Sequence, residues 1–205
     1  VNRNRKEKIV DITFDIREGP RVFVERIDIS GNVRTIDKVI RREFQIVEGD
    51  AFNAAKLRRS RQRIQNLDFF NKVNIQRLPG STPDKTIVKV EIEEKSTGSL
   101  SFGVGFSTDS GALLDLGLRE SNLLGRGQAL SFNGTLAAEK STVNISFTEP
   151  YFLDRDIAAG FDLYHVNQDL QDTRSYDFKK SGLGLRAGFQ VAPFLRQNWR
   201  YKAEV

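Results

Sequence analysis

The chain contains no cysteine, which excludes disulfides, thiolate catalysis and cysteine-based metal sites. Its single histidine, His165, has no acid or nucleophile that spacing brings near, so no catalytic constellation is legible and no enzymatic activity is expected. No apolar run approaches the roughly 18 to 20 residues that a membrane-spanning helix requires. Val1 is not followed by a charged n-region, an apolar h-region or a cleavage site, so a mature or excised piece is being read. A membrane β-barrel survives all these absences. Its strands alternate lipid-facing and lumen-facing residues, so a mean hydropathy of −0.43 decides nothing.

The composition divides near residue 95. Residues 1–95 hold 36 charged residues and 4 glycines, against 23 and 12 in residues 96–205. The first part has 21 Lys and Arg facing 15 Asp and Glu, and the second has 11 against 12, so the basic excess is local. A basic face attracts nucleic acid, anionic lipid or an acidic protein patch, and is equally a plain solvated face; charge alone does not choose.

Ile9 to Ile16 alternates polar and apolar residues and stops at Gly19-Pro20. It reads as one strand without a preceding partner, the end of a domain that residues 1–19 leave incomplete. Arg21 to Ser30 predicts a second strand, with Val22, Val24, Ile27 and Ile29 as buried candidates, turning at Gly31-Asn32. Thr35 is placed to cap a short helix carrying Ile36, Val39, Ile40 and Phe44 on one face. Asn53 caps a second helix, with Phe52 and Leu57 as its hydrophobic staple and Leu57, Ser60, Ile64 and Leu67 as its inner stripe. Arg58, Arg59, Arg61 and Arg63 fall mostly on the other side, where they contact phosphates or carboxylates or are simply solvated. Val73 to Arg77 and Thr86 to Glu93 alternate across a turn-rich link and read as a hairpin. Residues 20–95 are thus an α+β domain of order β-α-α-β-β, helices on a three-stranded sheet that must leave edges.

From Gly98 the signal becomes repeated dyads. Phe102, Val104 and Phe106 alternate with Ser101, Gly103 and Gly105, and the pattern recurs around Leu116, Phe132, Ile145, Phe161 and Leu185. Six antiparallel strands are predicted, each near the 9 to 11 residues that cross a bilayer at a tilt, with a seventh beginning at Trp199. The connections alternate in character. Those far from the first domain are polar, whereas 122–126, 150–155 and 193–196 carry apolar or aromatic residues and an arginine, as groups at headgroup level do. A soluble sandwich or lipocalin-like barrel also alternates, but its outer face needs more charge than Ser, Gly, Asn and Thr supply. So few strands leave open edges that hydrocarbon does not tolerate, so residues 96–205 read as the opening of an all-β antiparallel transmembrane β-barrel. Gly103-Val104-Gly105, Gly125-Arg126-Gly127 and Gly182-Leu183-Gly184 lack the strand-to-helix setting of phosphate loops and read as barrel glycines, leaving no cofactor expected.

Several strings occur in an order that resembles a known family. They are Arg26 to Asn32, Arg41-Arg42-Glu43, Asn66 to Phe70, Glu94 to Gly98 running into Phe102 to Gly105, Asn122 to Gly127, and Glu149 to Phe152. Together they resemble the Omp85 superfamily over nearly the whole chain. The resemblance implies that 1–19 ends one POTRA domain, that 20–95 is the barrel-proximal POTRA domain, and that 96–205 starts a barrel of about sixteen strands. It implies a bacterial outer-membrane location with the POTRA domain in the periplasm. The implied function is assembly of outer-membrane β-barrels, with unfolded outer-membrane proteins, accessory lipoproteins and outer-membrane lipids as partners, and neither nucleic acid nor cofactor.

Three sites follow from that resemblance. Gly98, Ser99, Leu100, Ser101, Phe102, Gly103, Val104, Gly105 and Phe106 form the first strand of a lateral seam, weakened by Gly103 and Gly105 unless those glycines only serve barrel curvature. Val73, Asn74, Ile75, Gln76 and Arg77 offer a sheet edge to an extended client. Arg41, Arg42 and Glu43 face an accessory protein, or are an exposed helix terminus. A TamA-like or two-partner secretion transporter of the same superfamily is the alternative, and a passive porin leaves the β-α-α-β-β domain without a purpose.

Overall fold

The computed structural model describes residues 2–4, 8–12, 19–108, 111–169, 177–192 and 194–205. At the start, β1 (Asn2–Asn4) pairs antiparallel with β2 (Ile9–Asp11), with Arg3 opposite Val10. This differs from the expected partnerless strand. Lys8, just before β2, adopts φ 57°. Residues 13–16 of the expected strand lie outside the described residues.

The next unit comprises β3 (Phe23–Ser30), α1 (Asp37–Arg41), α2 (Ala54–Asn66), β4 (Phe70–Pro79) and β5 (Lys85–Glu94). The sheet order is β3-β5-β4, with β5 parallel to β3 and antiparallel to β4. Central β5 buries Thr86, Val88, Val90 and Ile92, one residue in two, as a strand covered on one face must. A register shift between Val24 and Arg26 explains why the buried residues of β3, Val24 and Ile27, are three apart. Asn53 caps α2 as its position predicts, its Oδ1 accepting from the Ala55 and Lys56 N–H groups at 2.9 and 3.0 Å. Thr35 does not cap α1. The residue before that helix is Ile36, and the Thr35 hydroxyl is engaged elsewhere, as shown below. Gly31 turns at φ +91°, and a Cβ there would lie 2.0 Å from the Ile92 carbonyl oxygen, so only glycine lets β3 exit this close to β5.

The second sheet runs β6 (Gly98–Ser107), β7 (Gly111–Leu123), β8 (Gln128–Ala137), β9 (Lys140–Glu149), β10 (Ile157–Asp169), β11 (Asp177–Ala192) and β12 (Leu195–Glu204). Its seven strands follow chain order as an unclosed antiparallel meander, with β6 at one edge and β12 at the other. The seventh strand begins at Leu195 rather than Trp199, because Leu195 and Arg196 pair with Ala192 and Gln190 across a bulge.

Burial separates the two units. Every buried hydrophobic residue among the described residues lies between Val24 and Ile92, in one core under the small sheet. The larger sheet buries none, and its apolar register is bare, with Phe102 67%, Leu118 45% and Leu185 49% exposed. A soluble sandwich packs such a face against a second sheet. Here the opposite face carries the polar network instead: Arg186 meets Asp162 at 2.8 Å and donates to Ser146 and Thr148, while Thr135 donates to Asp115. An uncovered apolar face backed by a polar one is the pattern of a membrane barrel wall. Gly134, the one glycine in the apolar register of β8, stands between Leu116 and Val143, and the Phe132 ring lies 3.3 Å from where its Cβ would be, filling the gap.

Candidate functional site

The two units meet through the loop after β3 and α1 on one side and two turns of the larger sheet on the other. Asn122, only 8% exposed and next to the last residue of β7, bridges them. Its Nδ2 donates to the Thr35 hydroxyl at 2.8 Å and its Oδ1 accepts from the Gly127 N–H at 2.7 Å. The Ile36 N–H donates to the Gly125 carbonyl at 3.0 Å. Gly125 sits at φ +71°, and a Cβ there would lie 1.9 Å from the Arg34 carbonyl oxygen, so any side chain would force the units apart. Glu94, at the end of β5, accepts from the Thr35 and Arg34 N–H groups at 2.7 and 2.9 Å. Burial alone would raise its carboxyl, but those hydrogen bonds outweigh it and hold the group below the ordinary glutamate value.

The second turn, Tyr151 to Asp154, docks on the end of α1. Tyr151 donates its hydroxyl to Glu43 Oε1 at 3.1 Å and accepts from Arg63 Nη2 at 3.1 Å. Arg63 Nε donates to the other Glu43 oxygen at 2.9 Å, closing a three-residue ring of contacts. Arg42 lies over the Tyr151 ring, its guanidinium carbon 4.0 Å from the centroid. Burial first, and then the Glu43 carboxylate, push the Tyr151 phenol up. The outer ion pair, Lys38 with Asp154, is 61% and 72% exposed at its side chains and holds little.

The expected sites fall as follows. Gly98 to Phe106 lie in β6, the free edge of the larger sheet, beside β7 alone. A Cβ on Gly103 would meet the Asp115 side chain at 3.5 Å, an ordinary contact, and one on Gly105 would meet Leu113 at 3.2 Å. Val73 to Arg77 lie in β4, a free edge of the small sheet. That edge is partly engaged: Arg61 donates to the Val73 carbonyl at 2.9 and 3.1 Å, and Arg77 stacks on Phe52 with its guanidinium carbon 4.8 Å from the ring. Of Arg41, Arg42 and Glu43, the last two turn towards the barrel. Glu43 is 5% exposed with both oxygens engaged within the chain, so neither an exposed helix terminus nor a free contact for another protein describes it. Arg41 stays at the surface, paired with Asp37 and Glu48.

The junction is not legible in the sequence. Tyr151, Asn122 and Gly125 stand in strings that the family resemblance marks, yet no periodicity ties them to Thr35, Glu43 and Arg63, and the side-chain contacts between them span 87, 88 and 108 positions.

A small α/β domain fixed to the end of an open antiparallel sheet with one bare apolar face defines a class: a membrane β-barrel wall with an attached water-exposed domain. The comparisons narrow the class. Residues 22–95 match the POTRA family, described as a surface antigen variable number repeat, and residues 122–205 match the Omp85 superfamily domain. The chain belongs to the Omp85 superfamily. It is 31% identical over 206 residues to the outer membrane protein assembly factor BamA of Neisseria meningitidis, covering 98% of this chain and 26% of that protein. It is likewise 31% identical to BamA of Nitratidesulfovibrio vulgaris, covering 98% of this chain and 25% of that protein. The crystal structure of Haemophilus ducreyi BamA lacking POTRA domains 1–3 superimposes with a TM-score of 0.75 at 29% identity, over 93% of this chain and 37% of that one. CdiB from Acinetobacter baumannii shares the fold, with a TM-score of 0.53 at 16% identity over 85% of this chain and 34% of that one. The chain thus spans about a quarter of the length of the curated relatives it matches. Membership of this superfamily places the barrel in an outer membrane.

Proposed function

We propose that this chain is the barrel-proximal part of a core component of the outer-membrane β-barrel assembly machinery. The observation that carries the reading is the continuous likeness to BamA proteins across both domains, at 31% identity over 98% of the chain. In this reading the POTRA domain lies in the periplasm and unfolded outer-membrane proteins reach it as extended chains. β4 receives such a chain by β-augmentation, since an exposed sheet edge templates a strand. β6 then offers its own free edge as one side of a seam, and Gly103 and Gly105 weaken its hold on the strand that closes the barrel. No nucleotide, metal or cofactor takes part, and no bond is made or broken. Accessory lipoproteins meet the POTRA domain through surface residues such as Arg41, and outer-membrane lipids cover the apolar face.

The polar junction supports a division of labour. The ring Glu43–Arg63–Tyr151 and the bridge Thr35–Asn122 fix the receiving domain to the barrel end, while both candidate pairing edges, β4 and β6, carry no second strand among the described residues and Arg61 holds only the Val73 carbonyl of β4. The test is depletion of the full-length protein in its own host. Broad loss of folded outer-membrane proteins is the expected result. Loss of one exported passenger, with the other barrels intact, would replace this reading with a secretion transporter of the same superfamily.

A further inference from the structure

On the apolar face, beside the turn that docks the POTRA domain, lies a groove of about 510 Å³. Phe147, Phe161 and Leu185 form its floor and belong to the apolar register of β9, β10 and β11, with the first two rings stacked at 5.6 Å. Phe152 and Leu153 close its end. Leu153 adopts φ 54°, a left-handed conformation that disfavours a leucine, yet the residue is 76% exposed and belongs to no protein core. The polar lip consists of Gln128, Glu149 and Asp154, and with Lys38 reaching Asp154 from outside the groove it holds two carboxylates against one cation.

We infer that this groove is a binding site for a single amine-headed zwitterionic phospholipid, of the phosphatidylethanolamine class, from the leaflet on the POTRA side. The inference rests on the reading of the bare apolar face as lipid-facing. An acyl chain lies along Phe147, Phe161 and Leu185, and the strained Leu153 covers it from the water side. The ammonium group lies at the Glu149 carboxylate, in a lip that stays net negative with Lys38 on Asp154, where an anionic headgroup without an amine would meet like charge. The floor is continuous with the rest of the apolar face, so the occupant enters sideways from the bilayer. The turn has a second role, because its Tyr151 side chain reaches Glu43 and Arg63 in the POTRA domain. One short turn therefore touches the lipid on one side and the receiving domain on the other.

The experiment is native mass spectrometry of the full-length protein released from nanodiscs of phosphatidylethanolamine, of phosphatidylglycerol, and of their equal mixture. A retained phosphatidylethanolamine molecule, enriched from the mixture, is expected. Leu153→Gly keeps the left-handed turn, which glycine favours, while removing the apolar cover, and retention should fall about tenfold. Ala159→Phe, which fills the groove, should abolish retention. Leu136→Ala, on the same apolar face outside the groove, should leave it unchanged. Equal retention of both lipids, or retention indifferent to Leu153→Gly and Ala159→Phe, overturns the inference. Client folding measured on the same variants separates the two readings: a preparation that folds clients but retains no lipid sinks the groove alone, and one that does neither sinks the assembly reading.

Discussion

The Tyr151 hydroxyl and the Glu43 carboxylate lie 3.1 Å apart although 108 positions separate them in the chain, and Arg63 bonds to both. This contact ties a turn of the barrel wall to the end of the first POTRA helix. Removing either partner therefore acts on the orientation of the domain before it acts on either fold.

Tyr151→Phe keeps the ring under Arg42 and deletes only the hydroxyl, at a cost of about 1 kcal/mol. Glu43→Ala leaves Arg63 without its carboxylate and costs more, roughly 2 kcal/mol, because Glu43 is buried while Arg63 is 40% exposed and partly solvated. Distances between spin labels on the POTRA domain and the barrel should broaden in both variants, further in Glu43→Ala. Unchanged distributions would mean that the orientation is held elsewhere.

Gly125→Ala should act more severely than its size suggests. The added methyl would lie 1.9 Å from the Arg34 carbonyl oxygen, and backbone cannot yield as a side chain end does. Loss of the Ile36 to Gly125 hydrogen bond is expected, read as faster amide exchange at Ile36 and earlier proteolysis between the domains. Native protection in this variant would contradict the geometry.

The Glu94 carboxyl is held below the ordinary glutamate value of 4.5 in the folded protein. Its contribution is therefore complete above that unfolded value and is lost as pH falls through the folded one. The stability of the wild type against denaturant should fall from about pH 5 downward more steeply than that of Glu94→Gln, with the two curves converging in acid. Parallel curves would show that the Arg34 and Thr35 N–H groups do not depend on the charge.

Arg61 donates twice to the Val73 carbonyl on the β4 edge, so an arriving strand has to displace it or pair beyond it. Arg61→Ala should increase photocrosslinking of an extended client peptide along residues 74–77. A decrease would identify Arg61 as a client contact instead.

Much of this architecture is legible in the sequence because its signals are local. Asn53 caps α2, the alternation of Thr86 to Ile92 marks the central strand, and the dyads from Gly98 onward mark the barrel wall, each within one element. The departures are long-range. Thr35 reads as a helix cap, the commonest use of a threonine ahead of an apolar run, but Asn122, 87 positions on, takes its hydroxyl. Glu43 reads as a surface carboxylate because its partners, Arg63 and Tyr151, come from a different helix and a different domain. The β1–β2 pair is not legible in the sequence because Asn2 to Asn4 carries no apolar alternation.

The most direct test of the central claim is client folding by the full-length protein in liposomes, with a cysteine in β6, between Gly98 and Ser107, either reduced or joined by a disulfide to the strand that closes the barrel. Protease-resistant client barrels should appear faster with the reduced protein, an acceleration abolished by the disulfide and restored by reductant. Folding that proceeds equally fast with the seam locked would contradict that claim.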